Sequence, residues 1–319
     1  MAINRRQFFT GGVSALAAGC MHGGRNGALP SARCEWALAP HNRLHMTCPA
    51  LETPLRFWVA GDTHLALHDQ RDDQYADFYR RMAQWPGDTQ AFVRMLGEAK
   101  KAQVDLLLLV GDQISFPTLA NVEFLERALA SGGVPWMYVA GNHDWHFEGD
   151  AGRDPEQRAR WIPRRLSALY PKTANPLCHS RVVKGVRFVM IDDSDYLITR
   201  EQLEFWENEV AKGDPVVLAM HIPIWTEGWD RRDCLGCRAW GAAIDRYWEI
   251  ERRHRWPEKA TPETFAFVES VLTAPNLIGV FTGHIHAFMA AKCRGVDMFS
   301  VPENRKGNRL EVDLFPFRS

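Results

Sequence analysis

The sequence predicts an α/β fold. Three observations carry this: six short apolar runs, amphipathic helical stretches between them, and an abrupt change to glycine or polar residues where most runs end. The runs are LRFWVA (55–60), DLLLLV (105–110), PWMYVA (135–140), VRFVMI (186–191), PVVLAM (215–220) and LIGVFT (277–282). Most lack strict polar alternation, the pattern of strands covered on both faces. Strands that alternate with helices argue for an α/β domain. A chain of 319 residues, 46% of them hydrophobic, can bury a full core without added cross-links.

The elements follow in order. Residues 1–20 read as an export signal: Arg5 and Arg6 precede Phe8 and Phe9, and then a weakly apolar stretch too short to span a bilayer. The Arg-Arg-x-Phe pattern resembles a twin-arginine signal. AAGC, ending at Cys20, resembles a lipoprotein cleavage site, although Leu16 stands one place further upstream than that pattern wants. The expectation is a periplasmic protein, or one held on the outer face of the membrane by a lipidated Cys20. Simple cleavage and release is the rival. Setting Cys20 aside leaves Cys34, Cys48, Cys178, Cys234, Cys237 and Cys293, an even set that allows disulfides in an oxidising compartment.

Residues 21–54, rich in Gly, Pro, Ala and Asn, read as a tether and irregular lead-in, and 55–319 as a single domain. Within it, 89–102 places Phe92, Val93, Leu96 and Ala99 at helical spacing, and 118–130 does the same with Leu119, Val122, Leu125 and Leu129. Thr199 and Gln202 form a capping box, and Thr261 with Pro262 opens a further helix. The net charge of −1 gives no global attraction for nucleic acid or an acidic membrane, and no long basic stripe is present.

The ends of the runs carry the chemistry. WVA gives way to GDTH, with Asp62 and His64; LLLV to GD, with Asp112; MYVA to GNHD, with Asn142 and His143; VLAM to HIP, with His221; VFT to GHIH, with His284 and His286. In α/β sheets ligands bind beyond the carboxyl ends of the strands. One such fragment alone is better read as a turn, and a lone His221 as a satisfied core histidine. All five together, each directly after an apolar run, are better read as a site. Imidazole suits zinc and iron, while carboxylate and amide oxygens suit harder ions such as manganese. Asp112, with two oxygens, could bridge two ions. Two ions about 3.5–4 Å apart can hold a hydroxide and clamp both oxygens of an in-line displacement at phosphorus.

The order Asp-x-His, Gly-Asp, Gly-Asn-His-Asp, His, Gly-His-x-His resembles the calcineurin-like metallophosphoesterase superfamily over roughly residues 55–301. The resemblance implies a sandwich of two mixed β-sheets flanked by α-helices and a pair of transition-metal ions (Mn, Fe or Zn). It assigns Asp62, His64 and His286 to one metal, and Asn142, His221 and His284 to the other, with Asp112 between them. His143 would contact the phosphoryl oxygens or protonate the leaving group. The implied substrate is a small-molecule phosphoester, mono- or diester. A non-catalytic metal-binding surface lipoprotein on the same fold is the alternative. In one departure, Ser115 stands where many members carry an acid that orients the catalytic histidine. A hydroxyl cannot stabilise an imidazolium as a carboxylate does, and Asp144 or another acid could take that part.

Three stretches exceed what the core needs, at 65–88, 145–176 and 225–262, and all leave strand ends that face the expected site. They are expected to wall the pocket. The third holds Trp225, Trp229, Trp240, Trp248 and Trp256 among Arg231, Arg232, Arg238, Arg252 and Arg253. Trp225 and Trp229 suit a stacking wall or a core face equally, and RRHR (252–255) suits a solvated face. CLGC (234–237) is read as a local disulfide, since a structural zinc would need two more ligands. DDSD (192–195) also ends a strand, and its acids could line the site, but it is read first as a solvated loop; His68, His146 and His179 are read as surface or loop residues.

Overall fold

Covering strands on both faces takes two sheets and two helical layers, and the computed structural model of the chain has both. It describes residues 34–82, 86–147, 154–227, 233–239 and 259–317. The expected export signal with Cys20, and Trp229, Trp240, Trp248, Trp256, Arg231, Arg232, Arg252 and Arg253 of the third insert, lie outside the described residues.

The first sheet contains β1 (Glu35–Ala39), β2 (Arg43–Cys48), β3 (Leu55–Ala60), β4 (Leu106–Val110), β5 (Trp136–Val139) and β12 (Leu310–Pro316), in the order β1-β2-β12-β3-β4-β5. Its β3, β4 and β5 are parallel, while β12 runs antiparallel to β3. The second contains β6 (Cys178–Val183), β7 (Val186–Ile191), β8 (Val216–Ala219), β9 (Leu277–Thr282), β10 (Met289–Cys293) and β11 (Val296–Ser300), in the order β10-β11-β9-β8-β7-β6. There β7, β8, β9 and β11 are parallel and the two edges antiparallel. This is the sandwich of mixed sheets that the motif order implied.

Between the sheets lies one apolar layer. Phe57, Val59, Leu106, Leu108 and Val110 from the first sheet meet Phe188, Met190, Val217 and Phe281 from the second. Phe57 sits edge-on to Phe188 and to Phe281, with ring centres 5.2 Å away in each case. The alternate residues Trp58, Leu107, Leu109 and Tyr138 face outward beneath α2 (Thr89–Lys101) and α3 (Leu119–Gly132). On the other side Val189, Val216 and Leu218 pack under α5 (Arg200–Ala211) and α6 (Pro262–Thr273). Burial on both faces explains the missing polar alternation. The expected caps are in place: Thr199 and Gln202 bond reciprocally, and Thr261 accepts from the Thr264 amide before Pro262.

Several expectations change. Residues 35–48, read as irregular lead-in, form the β1–β2 hairpin, with a disulfide between Cys34 and Cys48 beside it. Cys178, Cys234, Cys237 and Cys293 are thiols, so CLGC is not a bridge. Leu235 and Cys237 instead pack into the core under β8 and β9. The first two inserts also join the core. Phe78 and Tyr79 of the first, in α1 (Ala76–Met82), and Trp161 and Ile162 of the second, in α4 (Asp154–Arg165), are buried on the first sheet's helical side. Trp225 is half-buried against the second sheet's core. His146 and His179 are buried, and burial pushes the His179 imidazole down to about 4. His68 is exposed and stacks on Tyr79.

Candidate metal centre

The parallel strands of both sheets deliver their carboxyl ends to the same place, and the chain there is under steric constraint. Asp62, His64, Asp112, His284 and His286 all have positive φ, between 50 and 70°. Left-handed backbone costs a non-glycine residue about 1–3 kcal/mol and persists only where the surroundings enforce it. The enforcement is visible in the hydrogen bonds. The Asp62 amide donates to the Gly111 carbonyl (3.0 Å), the His64 amide to that of Asp112 (2.9 Å), and the Gly283 amide to that of His221 (2.9 Å). The glycines permit close packing. A Cβ on Gly111 would strike the His221 ring, and one on Gly141 would strike the Asp112 carboxylate.

The side chains converge on Asp112. Its Oδ1 accepts from the His143 amide (2.8 Å), which leaves Oδ2 between two groups of ligands. Oδ2 is 3.8 Å from His64 Nε2 on one side and 3.4 Å from His221 Nε2 on the other. On the first side, His64 Nε2 and His286 Nε2 are 3.1 Å apart, and Asp62 Oδ1 is 3.2 Å from His286 Nε2. On the second, Asn142 Oδ1 is 3.2 Å from His221 Nε2. His284 lies edge-on to His221, ring centres 5.1 Å apart, and its amide donates to Asp62 Oδ2 at 2.9 Å. It falls outside the three sets whose ligand atoms lie within 4.8 Å of one another: Asp62/His64/His286, His64/Asp112/His143 and Asp62/Asp112/His221.

This donor set fits metal ions. Atoms about 2.0–2.2 Å from a shared cation lie about 3–4 Å from each other, the spacing seen on both sides of Asp112. Asp62 and Asp112 are buried, and among the described residues their ion pairs are with histidines alone. Buried carboxylates need a pairing charge or a metal. The electrostatics are tightly linked: burial opposes charge on His221, yet the Asp112 carboxylate holds that imidazole up at about 10. Burial drives His64 well below the usual histidine range. All eight residues singled out by motif therefore come together here, His143 with its ring 4.9 Å from that of His64.

Among the residues that brace the centre, the sequence brings Ser115 and Asp144 into view, whereas Glu303, Tyr196 and Asp233 carry no motif. Ser115 Oγ donates to the His64 carbonyl (3.2 Å), away from the part expected of an acid. Both Asp144 oxygens accept backbone amides, from Ile114 (2.9 Å) and Gly141 (2.8 Å), so this carboxylate ties the loop of Asp112 to that of Asn142. DDSD is not solvated: Asp192, Asp193, Ser194 and Asp195 are all buried. Asp193 Oδ1 accepts the amides of His221 (3.0 Å) and Ile222 (3.1 Å), and burial pushes its carboxyl up to about 7. After β11, Glu303 reaches His286 Nδ1 at 3.4 Å. Tyr196 Oη is 3.0 Å from His284 Nε2, and Asp233 Oδ2 is 4.0 Å from the same nitrogen.

Arg158 of α4 neutralises part of this buried charge. Its Nη1 is 3.1 Å from Asp192 and 2.8 Å from Asp195. Burial pushes the Asp195 carboxyl up to about 6 despite that attraction. Arg158→Leu leaves two buried acids uncompensated, and we expect a loss of about 3–5 kcal/mol in urea unfolding. Adding Asp195→Asn should restore part of it. A loss under about 1 kcal/mol for Arg158→Leu would contradict the assignment.

The chain is similar to known proteins. A family model described as calcineurin-like phosphoesterase matches residues 55–288. A probable cyclic nucleotide phosphodiesterase of Fibrobacter succinogenes is 22% identical over 226 residues, covering 70% of this chain and 74% of its own. A purple acid phosphatase from yellow lupin (Lupinus luteus) superposes with a TM-score of 0.51 at 13% identity, over 86% of this chain and 48% of that one, so this chain spans about half of the lupin enzyme. A dimetal phosphatase from Danio rerio superposes with a TM-score of 0.49 at 11% identity, over 79% of this chain and 88% of that one.

Proposed function

The chain belongs to the calcineurin-like phosphoesterase family, and on that premise we propose that it hydrolyses small-molecule phosphoesters at a two-metal centre built on Asp112. The observation that carries the proposal is the position of Asp112 Oδ2 between His64 Nε2 and His221 Nε2. Asp62, His64 and His286 would hold one ion, Asn142, His221 and His284 the other, and Asp112 both. A pair of such ions supplies Lewis-acid charge to the phosphoryl oxygens and a nucleophile at neutral pH. The chain supplies the rest. His143 is half-buried, with its amide bonded to Asp112 and its ring 4.9 Å from that of His64. From there it can bind a phosphoryl oxygen or pass a proton to the departing alkoxide.

The metals are of the Mn, Fe or Zn type by donor chemistry. A mono- or diester substrate is equally compatible with the centre. The name of the Fibrobacter relative favours the diester, and it enters here as support only. Export through the signal at 1–20, with or without a lipid on Cys20, belongs to the same proposal. Among the described residues no helix is long and apolar enough to cross a membrane. The deciding experiment joins metal analysis of the purified protein to hydrolysis of an aryl phosphate and a bis-aryl phosphate. We expect two transition-metal ions per chain and activity that chelation removes and manganese restores. Stoichiometric metal without hydrolysis of either ester would favour the non-catalytic binding protein instead.

A further inference from the structure

The turn after β7 serves a single half of the centre. Its Asp193 fixes the backbone of His221 through two amide hydrogen bonds. Three residues on, Tyr196 turns back toward the ligands: its amide donates to the Asp193 carbonyl at 2.7 Å, and its own φ is +64°. Left-handed backbone at a bulky aromatic residue is costly and persists where the surrounding structure enforces it. Here the side chain ends at His284, with Tyr196 Oη 3.0 Å from Nε2 and the rings edge-on at 5.7 Å. Tyr196 is buried, so its position is set by packing. On the opposite flank, Asp233 precedes a loop pinned to the segment after His221: the Trp225 amide donates to the Leu235 carbonyl (2.9 Å), and the Leu235 amide to that of Pro223 (2.9 Å). That places a carboxylate 4.0 Å from the same nitrogen.

We infer that Tyr196, backed by Asp233, is a positioning residue that holds His284 by Nε2 and so presents Nδ1 to the second metal position. The inference rests on the two-metal reading above. A metal-bound imidazole carries its remaining proton on the other nitrogen, and an acceptor there fixes both ring orientation and tautomer. With Nδ1 committed to the ion, Nε2–H donates to the Tyr196 oxygen, and the Asp233 charge favours that polarity. The Tyr196 hydroxyl meets His284, so its effect is expected at the half shared by Asn142, His221 and His284.

The test is manganese titration of metal-stripped full-length protein by calorimetry, with thermal unfolding of the stripped forms alongside. Wild type is expected to bind two ions. Tyr196→Phe keeps the ring and should unfold within a degree or two of wild type when stripped. It should bind one ion normally and the other about 10–100-fold more weakly. In a His284→Ala background the same change should have no further effect on either site, because Tyr196 acts through that ring. Should Tyr196→Phe fail to fold, Asp233→Asn reads the same nitrogen and is expected to weaken the same ion. Unchanged affinity at both positions overturns the inference, as does equal weakening of both. Normal binding of both ions joined to a fall in kcat also overturns it, since Tyr196 would then act on substrate. Wild type that binds no manganese overturns the two-metal reading itself, an outcome distinct from these.

Discussion

Asp112→Asn is expected to lower hydrolysis by on the order of 10³-fold and to abolish binding of at least one metal ion. The substitution keeps the volume of a side chain that is buried, and an amide oxygen can still accept from the His143 amide. What it removes is the charge at the one oxygen that faces both halves of the centre, 3.8 Å from His64 Nε2 and 3.4 Å from His221 Nε2. Lewis-acid stabilisation of a phosphoryl transition state is worth several kcal/mol, and each 1.36 kcal/mol is tenfold in rate. Stability gives a second readout independent of turnover. A metal present at 100 times its dissociation constant raises wild-type stability by about 2.7 kcal/mol, and the variant should show little of that increment. Turnover within about threefold of wild type, with metal retained, would remove Asp112 from the centre and the two-metal mechanism with it.

His143→Ala should separate proton transfer from metal binding. We expect kcat to fall about 10²–10⁴-fold, the range for loss of a positioned general acid, with both ions still bound. The size of the fall should depend on the leaving group. An ester of an acidic phenol needs little protonation and should lose least, whereas an alkyl ester should lose most. Geometry makes this a real test, since one ring nitrogen of His143 lies within 4.8 Å of a ring nitrogen of His64 and a carboxylate oxygen of Asp112. If the variant binds one ion fewer, His143 is a ligand. An equal fall for all leaving groups, with metal intact, would leave it a phosphoryl-binding group only.

The candidate ligands were legible because their signal is local. Glycine directly before Asp62, Asp112, Asn142 and His284 marks a chain that must turn sharply where a strand stops, and a Cβ at Gly111 or Gly141 would collide with His221 or Asp112. Aspartate, asparagine and histidine straight after such turns name a coordination chemistry by residue type alone. The core strands were legible for a similar reason, as uninterrupted apolar runs. The remaining strands were not, at the edges (β1, β10) or inside the first sheet (β12). β1, β10 and β12 carry mixed residues such as EWALA, MAAKC and LEVDLFP, whose exposed and buried positions take their sense from sheet neighbours far along the chain.

DDSD shows where reading along the chain runs out. Three acids in four residues look solvated, because burying unpaired charge costs several kcal/mol. The compensation comes from Arg158, 34 and 37 positions away from the acids it pairs with, and from the amide of His221, 28 positions from Asp193. The order of residues was enough to specify the α/β class, the succession of strands whose ends meet, and the eight candidate residues that converge there. How those residues meet emerged from packing: two sheets whose carboxyl ends face one cluster, one oxygen of Asp112 between two sets of donors, and Tyr196 aimed at His284. Turn chemistry and apolar runs are properties of neighbouring residues, whereas the charge balance of a buried site is set by groups that folding brings together from distant parts of the chain.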